Sequence, residues 1–401
     1  MTLSAAGPSR LDWLDAMRGI AALVVVFDHS SYTFMADSRS ELMPYFNTSR
    51  YSIMVFFLVS GYIIPSSLER RGCVRTFWIG RIFRVYPLWA AVVATLLILD
   101  ALSVAEIRDF GPQSATSVAV AHVTMLQELL GTPGLLIVLW TLSYEMSFYL
   151  LVVALFTVRL HRRSAVIAVG FAVLAAGSVA GGLVLPPSAL SAHFGTGPVI
   201  VFVSIAMGVT VCCASAGPAV LRCFGSVLGG VLALALVSFN GTVPLWEGLV
   251  ILAVMFLGTT VHRAENGHCT WRFAAGTAVT VTVCAVGSAY GWGDDDHFTR
   301  RGWIVAFLLA VLTFGAGLAV RGRRLPRVLT GLGTISYSAY LVHPVLLTVI
   351  DSTVGRRRHD SLALEAAFFT VLLPLCLLTY RYIEAPSQSW GRRLARRVRP
   401  S

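Results

Sequence analysis

The chain has 401 residues, 56% of them hydrophobic and only 13% charged, with a formal net charge of +11. Long apolar runs recur from one end to the other, which excludes a soluble globular protein and predicts a polytopic membrane protein. All 31 basic residues are arginines. They cluster between the apolar runs, so membrane topology rather than a nucleic-acid partner accounts for the charge.

In chain order, the hydropathy predicts spans near 14–34, 51–67, 86–103, 135–158, 164–185, 198–216, 224–239, 244–261, 273–292, 303–320, 331–350 and 361–381. Each is close to the 17–25 residues a bilayer requires, with a tighter, shallow or broken pair around 224–261. The expected fold is therefore an all-α bundle of about 10–12 transmembrane helices. The expected organisation is one membrane domain over 1–401, with no appended soluble domain. The first apolar segment is too long for a signal-peptide core and carries charge inside it, so it reads as a retained span.

Arginine placement orients the bundle. Arg70, Arg71, Arg75, Arg81 and Arg84 follow the second span, Arg159, Arg162 and Arg163 the fourth, and Arg321, Arg323, Arg324 and Arg327 the tenth. The tail adds Arg392, Arg393, Arg396, Arg397 and Arg399. All fall on one side if both termini are cytoplasmic. The run Arg356-Arg357-Arg358 breaks the pattern by lying on the predicted outer side.

Polar groups inside the apolar runs carry the functional signal. In the first span, Arg18 and His29 are eleven positions apart, so on a helix they share a face within about 20° and are separated by roughly 16 Å. A cation at the rim and an imidazole three turns deeper suit a long ligand with charge at one end and a reacting atom at the other. Asp28 and His29 would be costly facing lipid and are expected to face the bundle interior. Next, Arg75 to Pro87 reads as a short cytoplasmic helix, with Pro87 in the first turn of the following span. Arg81 and Arg84 share a face there, and two guanidinium forks suit phosphate.

Farther along, 118–130 reads as an interfacial or re-entrant helix carrying His122 and Glu128. Glu145 lies near mid-membrane in the fourth span, at a depth comparable with His29, which suggests a base-and-orienter pair. Asp294-Asp295-Asp296-His297 reads as a solvated acidic turn in preference to a cation site. His343 sits beside Pro344, where a kink is expected. Glu384 at the end of the last span is expected in an ion pair with an arginine. The seven cysteines show no metal-ligand spacing and read as small apolar residues. No metal site is expected.

Several stretches together carry a family resemblance. They are the Leu14-Asp15-x-x-Arg18-Gly19 run ending at His29, Phe56-Phe57-Leu-Val-Ser60-Gly61-Tyr62, and Arg81-x-x-Arg84-x-Tyr86-Pro87. The others are Trp140-x-Leu-Ser143-x-Glu145, Ser336-Tyr-Ser-x-Tyr340-Leu-x-His343-Pro344, and Tyr382-Ile-Glu384-x-Pro386. In this order they resemble acyltransferase family 3, bacterial integral-membrane enzymes that modify sugars. Asp28 and Met54 depart from the usual family pattern. The resemblance implies transfer of an acyl group from acyl-CoA, acetyl-CoA in the first instance, to a hydroxyl of a sugar-containing acceptor. It implies a catalytic His29 supported by Glu145, with Arg18, Arg81 and Arg84 holding the donor and no permanently bound cofactor. A multi-pass protein of the bacterial inner membrane follows; arginine-only usage with abundant Ala, Val and Gly fits a high-GC bacterial genome. The alternative is a proton-coupled transporter or flippase of a glycan precursor, using Asp28, His29 and Glu145 as a relay. Oligomeric state is not legible.

Overall fold

A computed structural model describes residues 11–294 and 299–398. Seventeen α-helices and no strand occur among them. In order they are α1 (Asp12–Phe34), α2 (Ala36–Leu42), α3 (Thr48–Arg71), α4 (Val74–Ala101), α5 (Ala115–Val123), α6 (Trp140–Thr157) and α7 (Ser164–Ala180). Then follow α8 (Ala189–Phe194), α9 (Thr196–Ser215), α10 (Ala219–Phe239), α11 (Leu245–Glu265) and α12 (Trp271–Trp292). The last are α13 (Arg300–Ala319), α14 (Arg327–Thr334), α15 (Ser336–Thr353), α16 (Leu362–Thr379) and α17 (Ala385–Arg397).

Ten helical segments among the described residues are long and apolar enough to cross a membrane, or eleven if the bent pair α14–α15 forms one span. The protein is thus an all-α, multi-pass bundle. The helix α1 is outside that set, because Asp12, Asp15, Arg18, Asp28 and His29 dilute its apolar content; its 23 residues still give a rod of about 34 Å.

Three boundaries differ from those expected. Residues 74–101 form one helix with Pro87 inside it, so the proline removes one backbone bond without ending the helix. The expected span 331–350 is broken at Ile335, where α14 and α15 meet at 64°, and α15 continues through Pro344. The pair around 224–261 is neither short nor broken, since α10 and α11 have 21 residues each.

The chain divides into two compact units, and α3 and α4 contribute to both. Unit 1 comprises Met1–Val59, Pro87–Glu106 and Gly293–Pro386. Its central rod is α1, which packs on α13, α14, α15 and α16. The closest approach is backbone to backbone: a Cβ on Gly333 would lie 1.9 Å from the Asp15 carbonyl oxygen, and one on Gly19 would lie 2.8 Å from the Gly333 nitrogen. Small residues at such crossings let helices gain dispersion contacts in an environment that offers little hydrophobic drive. Trp13 fills the neighbouring space, edge-on to Phe314 at 5.4 Å. The arginine run that broke the sidedness pattern folds onto this unit: Arg356 pairs with Asp351 at 2.9 Å, and the Arg357 amide donates to the Thr33 carbonyl at 2.9 Å.

Unit 2 comprises Ser60–Tyr86, Ile107–Trp292 and Ser387–Ser401. Its centre is α11, apolar and buried nearly all round, packed by α6, α7, α10 and α12. Gly61 again marks a contact only glycine permits, since a Cβ would lie 1.8 Å from the Met255 carbonyl oxygen. The expected interfacial helix is α5 followed by a 3₁₀ turn, Gln127–Leu130. His122 and Glu128 close the loop that follows. The His122 Nε2 accepts from the Leu135 amide at 3.0 Å, and Glu128 accepts from the Gly134 amide at 2.8 Å.

Candidate active site

His29 lies on α1 in unit 1, directly before the hydroxyls of Ser30, Ser31 and Thr33 near the helix end. Its Nδ1 is 2.8 Å from Nε2 of His343 on α15, and the two rings stack with centroids 5.1 Å apart. The other nitrogen of His343, Nδ1, is 2.6 Å from the Ala339 carbonyl oxygen. A carbonyl only accepts, so His343 Nδ1 carries the hydrogen. In a neutral His343, Nε2 then holds the lone pair and must accept from His29 Nδ1–H. The remaining nitrogen, His29 Nε2, is left with its lone pair free. Two bonds therefore select one tautomer of His29 and aim its basic atom.

Access separates the two histidines. His343 is fully buried, whereas the His29 side chain keeps 12% of its surface exposed. His29 is thus the more accessible of the two rings. Tyr340 stands against His343 at 6.4 Å and against Phe56 at 5.7 Å, walling the pair with aromatic surface.

Asp28, 2% exposed, sits beside them. Its Oδ1 accepts from Arg39 on α2 at 3.0 Å and from the Thr48 hydroxyl. Arg39 also donates to the Asp28 carbonyl at 2.7 Å and to the Ser31 hydroxyl at 3.0 Å, and lies over the Tyr32 ring at 3.4 Å. The second oxygen, Oδ2, is 3.9 Å from His29 Nε2, too far for a hydrogen bond but close for Coulombic attraction to an imidazolium. Arg39, bonded to Oδ1, carries the opposite charge beside the same carboxylate. Next to His29, Ser30 donates to the buried Glu365 at 2.5 Å.

The other expected site residues find different partners. Arg18 lies on α1 with no break before His29, and pairs with Asp15 at 3.8 Å. Glu145, in unit 2, accepts from Tyr149 at 2.6 Å, and the bond to His29 Nδ1 is made by His343. In the same unit Arg81 donates to the Ser67 hydroxyl at 3.1 Å and lies 5.4 Å from both the Phe77 and Tyr149 rings. Arg84 is half-buried on the same helix. Glu384 accepts from the Ser338 hydroxyl, in a π-helical turn, Tyr380–Glu384. Of the acidic turn, Asp294 pairs with Arg300 at 3.4 Å, and Asp295, Asp296 and His297 lie outside the described residues.

Sequence reasoning passed over Arg39, Thr48 and Glu365, and left the role of His343 open. A buried Asp28 calls for a cation, and Arg39 is the first arginine after it, so that partner had a signal. Glu365 had none, because its link to Ser30 spans 335 positions.

A multi-pass helical bundle with an imidazole pair between two of its helices, one ring buried and one reachable, defines the class. The acyltransferase-domain family profile matches residues 11–381, and the chain belongs to that family, acyltransferase family 3. Acyltransferase MdmB of Streptomyces mycarofaciens is 31% identical over 150 residues, which is 35% of this chain and 38% of that protein. The matched stretch thus covers well under half the length of that relative. No solved structure matches the chain.

Proposed function

We propose that the protein is a membrane-bound O-acyltransferase that moves an acyl group from acyl-CoA, acetyl-CoA in the first instance, to a hydroxyl of a sugar-containing acceptor. The observation that carries this reading is the aimed lone pair on His29 Nε2, together with the family. In the proposed step, His29 Nε2 takes the proton of the acceptor hydroxyl as its oxygen attacks the thioester carbonyl. The tetrahedral intermediate collapses with cleavage of the carbon–sulfur bond, and the imidazolium returns its proton to the leaving thiolate. The products are an ester and free CoA. His343 keeps Nδ1–H of His29 engaged throughout, and Asp28 favours the transient imidazolium. A low-water setting limits hydrolysis of the thioester.

Arg18 in unit 1, and Arg81 and Arg84 in unit 2, are proposed for the donor's phosphates, since guanidinium forks match phosphate oxygens. Glu145 is proposed to act through Tyr149 and Arg81 and to hold that donor-side cluster in shape. Cytoplasmic termini and a bacterial inner-membrane location belong to the same reading.

The transporter alternative is less well supported, because two members of its relay are committed elsewhere: Asp28 to Arg39 and Thr48, Glu145 to Tyr149. The deciding experiment feeds radiolabelled acetyl-CoA to the purified protein in nanodiscs with a glycoconjugate extract of the producing cells. Label should enter a base-labile ester with wild type and not with His29→Ala. Movement of unmodified glycoconjugate across proteoliposomes without acyl-CoA, and no ester, would overturn the reading.

A further inference from the structure

Arg39 engages the protein through one of its three nitrogens. Its Nη1 donates to the Asp28 carbonyl at 2.7 Å, to Asp28 Oδ1 at 3.0 Å and to the Ser31 hydroxyl at 3.0 Å. Nη2 and Nε donate to no protein acceptor among the described residues. The side chain is only 10% exposed, but these two nitrogens are not among the sealed atoms, so the surface it keeps open includes them. An ammonium would neutralise Asp28 as well, since a lysine nitrogen carries three donors for the three acceptors that Nη1 serves. What arginine adds is a flat fork with further N–H groups.

The fork is also held still. Arg39 Cζ lies 3.4 Å from the centroid of the Tyr32 ring, close enough for guanidinium and ring to stack face to face, which leaves the edge of the fork uncovered. The helix that carries it, α2, buries no residue of its own, so polar ties rather than packing set its place. The Asp360 carboxylate accepts from the Asp37 amide at 2.9 Å and the Ser38 amide at 3.1 Å. Beyond the other end of α2, the Asn47 amide donates to the Gly302 carbonyl at 3.1 Å. All of these residues belong to unit 1.

Arg39 is held beside the aimed base. Asp28 stands between the two, with Oδ1 on Arg39 and Oδ2 3.9 Å from His29 Nε2. A carbonyl attacked next to His29 Nε2 would have a fixed cation with two unused donors one carboxylate away.

We propose that Arg39 is a second catalytic residue, whose Nη2–H and Nε–H groups hold the oxyanion of the tetrahedral intermediate. The assignment rests on the acyl-transfer reading. As the acceptor oxygen bonds to the thioester carbon, the carbonyl π pair moves onto its own oxygen, and that charge meets the two donors. The guanidinium keeps its protons throughout. When the carbon–sulfur bond breaks, the pair returns to the carbonyl and the hold of Arg39 weakens. Donors fixed before the reaction stabilise such a charge without reorganising, and they favour the transition state over the bound thioester.

The test measures ester formation from radiolabelled acetyl-CoA and the glycoconjugate extract by the full-length protein in nanodiscs, as kcat per folded molecule. Arg39→Met would leave Asp28 buried alone and mix chemistry with folding, so Arg39→Lys is the informative variant. It can re-make the three bonds of Nη1 and should keep the melting temperature. Its kcat should fall by about 10²–10³, the scale for loss of an oxyanion donor, with the KM for acetyl-CoA unchanged. Tyr32→Leu removes the platform and leaves the ion pair, and should lower kcat by about tenfold through a loosened fork. Tyr32→Phe should recover most of that loss. A wild-type kcat in Arg39→Lys, with label still entering the ester, would overturn this assignment and leave acyl transfer standing. A loss in Arg39→Lys that lies wholly in KM would do the same, because it marks a binding cation. No ester with wild type would overturn both.

Discussion

His29 Nδ1 and His343 Nε2 lie 2.8 Å apart although 314 positions separate the residues, and the Ala339 carbonyl fixes the proton at the far end of the pair. A base aimed by a second, fully buried imidazole gives different expectations for the two rings. His29→Ala should lower kcat by about 10²–10⁴, the range for loss of a general base. His343→Ala should cost about 10²-fold through misplacement of His29, with donor KM unchanged. His343→Gln keeps an acceptor for His29 Nδ1–H and should recover part of that loss. Steady-state kinetics of the three variants, each checked for folded yield, decide the assignment; equal losses in His343→Ala and His343→Gln would deny His343 a positioning role.

The Asp28–Arg39 pair is buried on both sides, with side-chain exposures of 3% and 10%. Removing one member leaves an uncompensated charge, so Arg39→Met should destabilise by about 3–5 kcal/mol. The double change Asp28→Leu with Arg39→Met should cost much less than the two single changes added together. Thermal unfolding in detergent of the four proteins of this cycle measures the coupling, and simple additivity would mean the pair contributes nothing specific.

Gly333→Ala forces a methyl group into the α1 backbone and should destabilise by about 1–3 kcal/mol, as overpacking does. At Gly276 on α12 an added Cβ would meet no heavy atom within 4 Å, so Gly276→Ala should be neutral or gain up to about 1 kcal/mol. Melting temperatures of both variants check the contrast.

Arg81 and Arg84 should separate by what else they do. Arg84→Gln should raise the donor KM about tenfold, the loss of one charge-assisted bond, with no change in melting temperature. Arg81→Gln should raise KM and also lower the melting temperature, because Arg81 holds Ser67 and lies against two aromatic rings. An unchanged KM in both would remove these arginines from donor binding.

Burial pushes the His122 imidazole below its usual range, although its bond to the Val118 carbonyl opposes the shift. The folded state therefore binds fewer protons than the unfolded chain, and stability falls as pH drops below the unfolded value of about 6.5. Protonation also removes the lone pair that accepts from the Leu135 amide. Amide exchange across 124–135, corrected for intrinsic rate, should quicken between pH 7.5 and pH 5, and His122→Phe should erase that pH dependence.

The class of fold, and a histidine worth following, were legible in the chain before any helix was placed. Apolar period and length set the spans, because a bilayer admits few alternatives to a helix, and an imidazole deep in an apolar run is too costly to be incidental. Arg18 and His29 do lie on one unbroken helix, as their spacing implied. What His29 touches emerged only from how the helices pack. The imidazole it meets is His343, Asp28 is held by Arg39 on a short helix of low hydropathy, and α14 and α15 meet at 64° just after the Gly333 crossing of α1. Hydropathy is a property of single helices, whereas hydrogen bonds, ion pairs and close backbone contacts depend on which helices meet and at what rotation.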